Sequence, residues 1–236
     1  MRSFDYIESG KTLLTPHTTS LLAAIHEAKG RQSIQTTIRP DILGTLVAVA
    51  RVQSTDASNR IEGISTSDSR LNDLVSEKVT PRNRNEEEIA GYRDVLSAIH
   101  ESHDYIPVTP NVILQLHRDL FRHTPLTFAG HFKDSDNVII ERDAHGTSTV
   151  RFAPPSALVT PELIERACSA YTQAIRDGHT DPLLAIAMFI LDFTCIHPFN
   201  DGNGRMSRLL TLLMLYRNGY MVGKYISIEH LIEQSK

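Results

Sequence analysis

Apolar positions recur at i, i+3 and i+4 through Leu21, Leu22 and Ile25 and across residues 42–52, 95–99 and 112–120, which predicts amphipathic helices and a mainly α fold. Start signals accompany three of these runs and their neighbours: Asp41 before the first long run, Thr109 with Pro110, and Thr160 with Pro161 and Glu162. Gly91 interrupts an acidic, helix-favouring stretch, and the run Glu86, Glu87, Glu88 reads as a solvated helix face rather than a metal or partner site. One segment breaks the helical rhythm. Residues 138–141 and 148–152 are short β-prone runs separated by 142–147, with its Asp-Ala-His-Gly, and this predicts a hairpin that Pro154 and Pro155 terminate.

The pattern changes character at residues 183–216. Two stretches, LLAIAMFILDF and SRLLTLLMLY, are apolar on nearly every face and so belong in the middle of a domain, and a polar loop, TCIHPFNDGNGRM, joins them. A buried helix pair holding such a loop is a rigid scaffold that presents chemistry. Gly202 and Gly204 let the backbone turn its N–H groups toward one point, and the following helix adds its unpaired N–H groups and positive dipole end. The result is an anion cradle suited to phosphate, with the planar fork of Arg205 beside it and Arg208 on nearly the same helix face. Asp201 places a carboxylate where a hard divalent ion bridging phosphate oxygens would sit, and His197 is a group of near-neutral pKa suited to taking a proton from an attacking hydroxyl. Pro198 and Phe199 are packing elements.

Composition narrows the setting. The chain has 236 residues, a formal net charge of −4 and 41% hydrophobic residues. Against a domain of about 150 residues this is roughly one and a half domains, enough for a full core without disulfides or a structural metal. The charge predicts no attraction to nucleic acid or an acidic membrane surface. Cys168 and Cys195 lack metal-ligand spacing, and Cys195 stands too close in sequence to His197 for a Cys-His nucleophile. There is no G-x-S-x-G elbow, and the other ten histidines show no ligand spacing and read as ordinary surface or core groups. With no signal-peptide pattern at the N-terminus and no apolar run near the ~20 residues of a membrane helix, a cytoplasmic location is expected.

The segment HPFNDGNGRMSR resembles the signature of the Fic family, HxFx(D/E)GN(G/K)RxxR, at every specified position. The resemblance implies a Fic-fold helical bundle with a small β-hairpin flap, near 138–152, over a catalytic loop at 197–208. It implies ATP with Mg, or Mn as an alternative, and transfer of AMP to a Ser, Thr or Tyr hydroxyl of a target protein or of the protein itself. His197 would then be the general base, Asp201 the Mg ligand, and Gly202, Asn203 and Gly204 the anion hole. Arg205 would hold the β-phosphate region and Arg208 the γ-phosphate. Gly204 favours AMP transfer over the branch with Lys at that position. Lys133, in Gly130-His131-Phe132-Lys133, stands where the family more often has Arg; it keeps the charge and loses the fork.

Residues 58–63 read Ser-Asn-Arg-Ile-Glu-Gly at the end of the helix that begins near Asp41. Ser58 and Glu62, four apart, share a face, and Gly63 suits a position just past a helix end. A glutamate facing the negative end of a helix dipole calls for a cation, and Arg208 is the candidate. The segment is similar to the inhibitory motif (S/T)xxxE(G/N) of the same family, which implies that Glu62, with Ser58, blocks the γ-phosphate seat. The chain thus divides into an N-terminal region, 1–90, carrying the brake, and a core, 91–236. The expected function is a self-inhibited protein adenylyltransferase. Two alternatives stay open: an enzyme that removes AMP or works in both directions, and a nucleotide-sensing regulator whose partner or DNA-binding segment lies beyond Lys236. A homodimer is also left open, and no adenine-contacting residues are assigned.

Overall fold

Local chemistry fixes most helix ends in the computed structural model, which describes residues 4–38, 40–142, 146 and 148–235. The helices are α1 (Tyr6–Leu13), α2 (Pro16–Ile38), α3 (Pro40–Arg60), α4 (Asp68–Val75), α5 (Arg84–Ser102) and α6 (Pro110–Leu120), then, after strands β1 (Ile139–Arg142) and β2 (Ser148–Phe152), α7 (Thr160–Asp177), α8 (Pro182–Ile196), α9 (Asn203–Arg217) and α10 (Ile228–Gln234). Asn83 and Thr109 cap α5 and α6, accepting from the N–H groups of Glu86 at 3.0 Å and Val112 at 3.4 Å, and Asp181 does the same for α8 ahead of Pro182. Thr160 departs from the expected cap. It is the first residue of α7, and its hydroxyl donates back to the Ser156 carbonyl at 2.9 Å. The Asp41 side chain lies outside the described ones.

The two all-apolar helices take the centre. Phe189 and Phe193 of α8 and Leu209, Leu210 and Leu213 of α9 are fully buried, with α5, α6 and α7 packed around them through Tyr92, Ile99, Ile113, Leu120 and Ile164. The apolar sequence runs on both helices are therefore core, as their lack of a polar face requires. α5 runs unbroken through Gly91, across the expected 90/91 boundary. A Cβ there would lie 2.0 Å from the Leu120 carbonyl oxygen, so the glycine lets α5 and α6 approach closely. α3 lies on α5 and is covered by α10. Among the described residues no helix is long and apolar enough to cross a membrane.

The hairpin forms as an antiparallel pair, with Ile140 opposite Val150 and a register irregularity at Ile139 and Ile140. Its turn, 142–147, lies largely outside the described residues. The chain entering it is tied to the polar loop: the Asn137 amide donates to the Phe199 carbonyl at 3.4 Å, and that of Asn200 donates to Asp134 at 3.3 Å.

Candidate active site

The loop between α8 and α9 is short, because α8 continues through Cys195 and Ile196, and it is held at both ends. His197 closes α8 in the left-handed region, φ 50°, its N–H donating to the Phe193 carbonyl at 3.0 Å. A non-glycine residue there carries strain of order 1 kcal/mol, so the surroundings must hold it. Lys133 does much of this: its buried amine donates to the Ile196 carbonyl at 3.2 Å and to Asn137 at 3.1 Å, and its backbone N–H to the Pro198 carbonyl at 2.8 Å. The lost arginine fork is thus replaced by a point cation on the carbonyl end of α8.

The other end is pinned by His117, one of the histidines read as ordinary. Its Nδ1 accepts from the Gly130 N–H at 3.0 Å, which places the proton on Nε2 facing the Asp201 carbonyl at 3.1 Å. Burial pushes its pKa down to about 4, so the ring is neutral, and it stacks on Phe199 at 3.7 Å between centroids. Asn203 bridges the loop with its side chain, accepting from the Phe199 N–H at 2.9 Å and donating to the Phe199 carbonyl at 2.8 Å. What Asn203 offers an anion is its backbone N–H alone. Gly202, φ 81°, turns the chain into α9 and leaves the first-turn N–H groups of Asn203, Gly204 and Arg205 without helical partners, a geometry suited to an anion.

Charges surround that cradle in a way the sequence reading only partly anticipated. Arg205 is 1% exposed, its guanidinium 2.7 Å from Glu88 and over the ring of Phe121 at 5.0 Å. Its Nη2 faces Asp201 at 3.7 Å, while its buried Nε has no hydrogen-bond partner among the described residues. The acidic run is correspondingly not a solvated face. Glu86 is buried against Arg70 at 2.5 Å, which with burial opposing holds its carboxyl down at about 2, and Glu88 is buried against Arg205. A signal was available: Glu88, Tyr92, Val95 and Ile99 fall at i, i+4, i+7 and i+11, the buried face of α5. Asp201 is 45% exposed at its side chain and accepts from the Gly202 N–H at 2.6 Å. One partly open carboxylate beside an N–H cradle fits a hard divalent ion that draws its remaining oxygens from phosphate and water. His197 is half-buried; burial, and then the Lys133 charge, hold its pKa below the usual imidazole value, so the ring is neutral at pH 7.

The N-terminal helices reach this point through Ser58 and Glu62. Arg208 donates from Nε to the Ser58 hydroxyl at 2.7 Å, and from Nη2 to the Ser58 carbonyl at 2.8 Å and the Glu62 carboxylate at 2.7 Å. Glu62 sits in the turn after α3, which ends at Arg60, and Gly63 carries φ 77° in that turn. A Cβ on Gly204 would be 2.2 Å from the Glu62 Oε1 atom, so the carboxylate rests directly on the N-terminus of α9. The structure therefore brings His197, Asp201, Gly202, Asn203, Gly204, Arg205, Arg208, Ser58 and Glu62 together, and it adds Glu88, His117 and Arg84, whose guanidinium lies 3.7 Å from Asp201.

Known proteins resemble this chain in sequence and in fold. A Fido domain-containing protein of Dictyostelium discoideum is 37% identical over 90 residues, 36% of this chain and 58% of that protein. Protein adenylyltransferase fic-1 of Caenorhabditis elegans is 28% identical over 52% of this chain and 22% of its own length. The chain thus spans between about a fifth and three fifths of these relatives. In structure, a Fic domain-containing signaling protein from Bacteroides thetaiotaomicron superposes with a TM-score of 0.71 over 84% of this chain and 73% of its own, at 24% identity, which establishes the shared fold. The Fic/DOC family model matches residues 107–215, a span that begins before α6, holds His197 through Arg208 and ends within α9; the chain carries a Fic/DOC domain.

Proposed function

We propose that this protein is a self-inhibited protein adenylyltransferase that moves AMP from ATP to a Ser, Thr or Tyr hydroxyl of a target protein or of itself. The observation that carries this is the Glu62 carboxylate lying on Gly204 and holding Arg208 at 2.7 Å, for an acid there stands where a terminal phosphate of a nucleotide cradled by α9 would lie. The names of the matched relatives support AMP transfer for the family domain. In the reaction, neutral His197 accepts the proton of the target hydroxyl, the oxygen forms a bond to the α-phosphorus, and the bond from that phosphorus to pyrophosphate breaks, the pyrophosphate leaving with the electron pair. The N–H groups at the start of α9 take up charge on the phosphates. A divalent ion held through Asp201, Mg or Mn, supplies neutralisation of phosphate charge when bound. The outer edges of β1 and β2 suit a target segment held by main-chain pairing.

With Glu62 in place the phosphate seat is occupied by a like charge, and ATP cannot set its α-phosphorus in line. Replacing Glu62 by Gly is expected to raise labelling of protein by ATP carrying isotope on the α-phosphate by about tenfold or more, a restraint of ~1.4 kcal/mol being one factor of ten. The second substitution His197→Ala is expected to return it to background. Equal labelling in all three proteins would refute the reading, and release of AMP from a modified protein by the Glu62-intact form would reverse its direction.

A further inference from the structure

Arg84 opens α5, outside the span matched by the family model, and reaches across to the catalytic loop. Its Nε donates to Glu88 Oε1 at 2.8 Å, while its Nη2 lies 3.7 Å from Asp201 Oδ2. Glu88 Oε2 in turn lies 2.7 Å from Arg205, whose Nη2 is 3.7 Å from Asp201 Oδ1. The four groups close a ring of alternating charge: Glu88, Arg84, Asp201, Arg205. Each oxygen of Asp201 faces one guanidinium. The two arginines differ in mobility, because Arg205 is 1% exposed at its side chain and Arg84 is 61% exposed. The buried one is fixed by the core, whereas the outer one is a long chain in solvent, tethered at one edge by Glu88.

We propose that Arg84 is a resident counter-cation on the outer oxygen of Asp201, which the divalent ion entering with ATP displaces, so that Arg84 sets how much metal the site requires. The inference rests on the adenylyltransferase reading for the identity of the nucleotide and on the ring for everything else. Physically, a divalent ion must bring its own charge to an oxygen that a guanidinium already neutralises. Until Arg84 swings away along its Glu88 tether, the two cations repel at short range. A resident cation of this kind offsets the charge of the partly open carboxylate when no metal is bound, and it weakens metal binding by the strength of an exposed ion pair. Arg84 is in these terms a positioning residue, acting through Asp201.

The test is Mn2+ binding, followed by electron paramagnetic resonance of the free ion, in full-length protein carrying Glu62→Gly with a non-hydrolysable ATP analogue present. Arg84→Ala is expected to tighten Mn2+ about three- to fivefold, Arg84→Lys to change it less than twofold, and added salt to shrink the difference. The further change Asp201→Asn is expected to remove the effect of Arg84→Ala. Arg84→Gln, which can keep a hydrogen bond to Glu88, guards against a local folding defect and is expected to follow Arg84→Ala. Unchanged or weaker Mn2+ binding in both neutral variants overturns the proposal. A tightened Mn2+ site in a protein that never transfers label overturns the adenylyltransferase reading and leaves this one standing.

Discussion

Arg205 and Arg208 lie one helical turn apart on α9, and each meets a glutamate from the N-terminal helices, yet the two pairs have opposite surroundings. Arg205 and Glu88 are 1% and 4% exposed at their side chains, whereas Arg208 and Glu62 are 10% and 36% exposed. A charge pair closed off from water cannot be opened without leaving an uncompensated charge, so the first is a permanent anchor. In the second, water can reach the carboxylate, and an incoming phosphate can replace it on Arg208. The same residue types on one helix face therefore form one closed pair and one open pair, and under the proposed function the open one is the brake.

Breaking the anchor is expected to cost most. Glu88→Ala leaves Arg205 buried without its partner and should lower unfolding free energy by about 3–5 kcal/mol, measured by urea denaturation. Glu62→Gly, read in the same assay, should change it by about 0.5 kcal/mol or less. Comparable losses in the two variants would show that exposure does not separate the pairs.

The loop these arginines serve has a second anchor, and acid should release it. His117 is neutral in the folded protein, its pKa about 4, against about 6.5 in an unfolded chain. Between those values the unfolded chain binds the proton more readily, so the stability tied to the neutral ring is complete above about pH 6.5 and is lost as pH falls toward 4. The contribution is up to about 3 kcal/mol, and His100, pushed by burial to the same range, adds to it. The midpoint of urea unfolding is therefore expected to fall steadily from pH 7 to pH 5. A flat profile would mean that neither ring resists protonation.

How far the sequence revealed these features depended on how locally each is encoded. The geometry of the polar loop was legible because His197 through Arg208 are contiguous and their spacing sets a left-handed turn at Gly202, a helix N-terminus and arginines on the following helix face. The contact of Glu62 with Arg208 was legible because a carboxylate near the end of a helix calls for a cation, and because residues 58–63 resemble a motif that pairs with the last arginine of the loop. Glu88 was missed because its partner lies on another helix, more than a hundred residues on, and three acids in a row look like a solvated face. His117 was read as ordinary because a histidine's role here is set by the carbonyl it faces, and Asp201 is distant in sequence. Gly91 looked like an interruption because the reason for it, the Leu120 carbonyl, belongs to α6.

The smallest expected effect concerns what holds the proposed brake from behind. Arg60, the last residue of α3, places its fork on Glu233 of α10 at 2.6 and 2.7 Å, and Tyr92 donates to the buried Glu229 of the same helix at 3.0 Å. Glu62 follows Arg60 by two residues, so if Glu62 is the brake, α10 is expected to limit how far its carboxylate swings from Arg208. The Arg60 side chain is 46% exposed, so the pair is worth only about 0.5 kcal/mol. Arg60→Ala should accordingly raise α-phosphate labelling about twofold when Glu62 is present, and leave it unchanged in the Glu62→Gly background. That non-additivity is the informative result, because a clamp can act only through the residue it restrains. An equal rise in both backgrounds would make α10 a cover for α3 with no part in holding the brake.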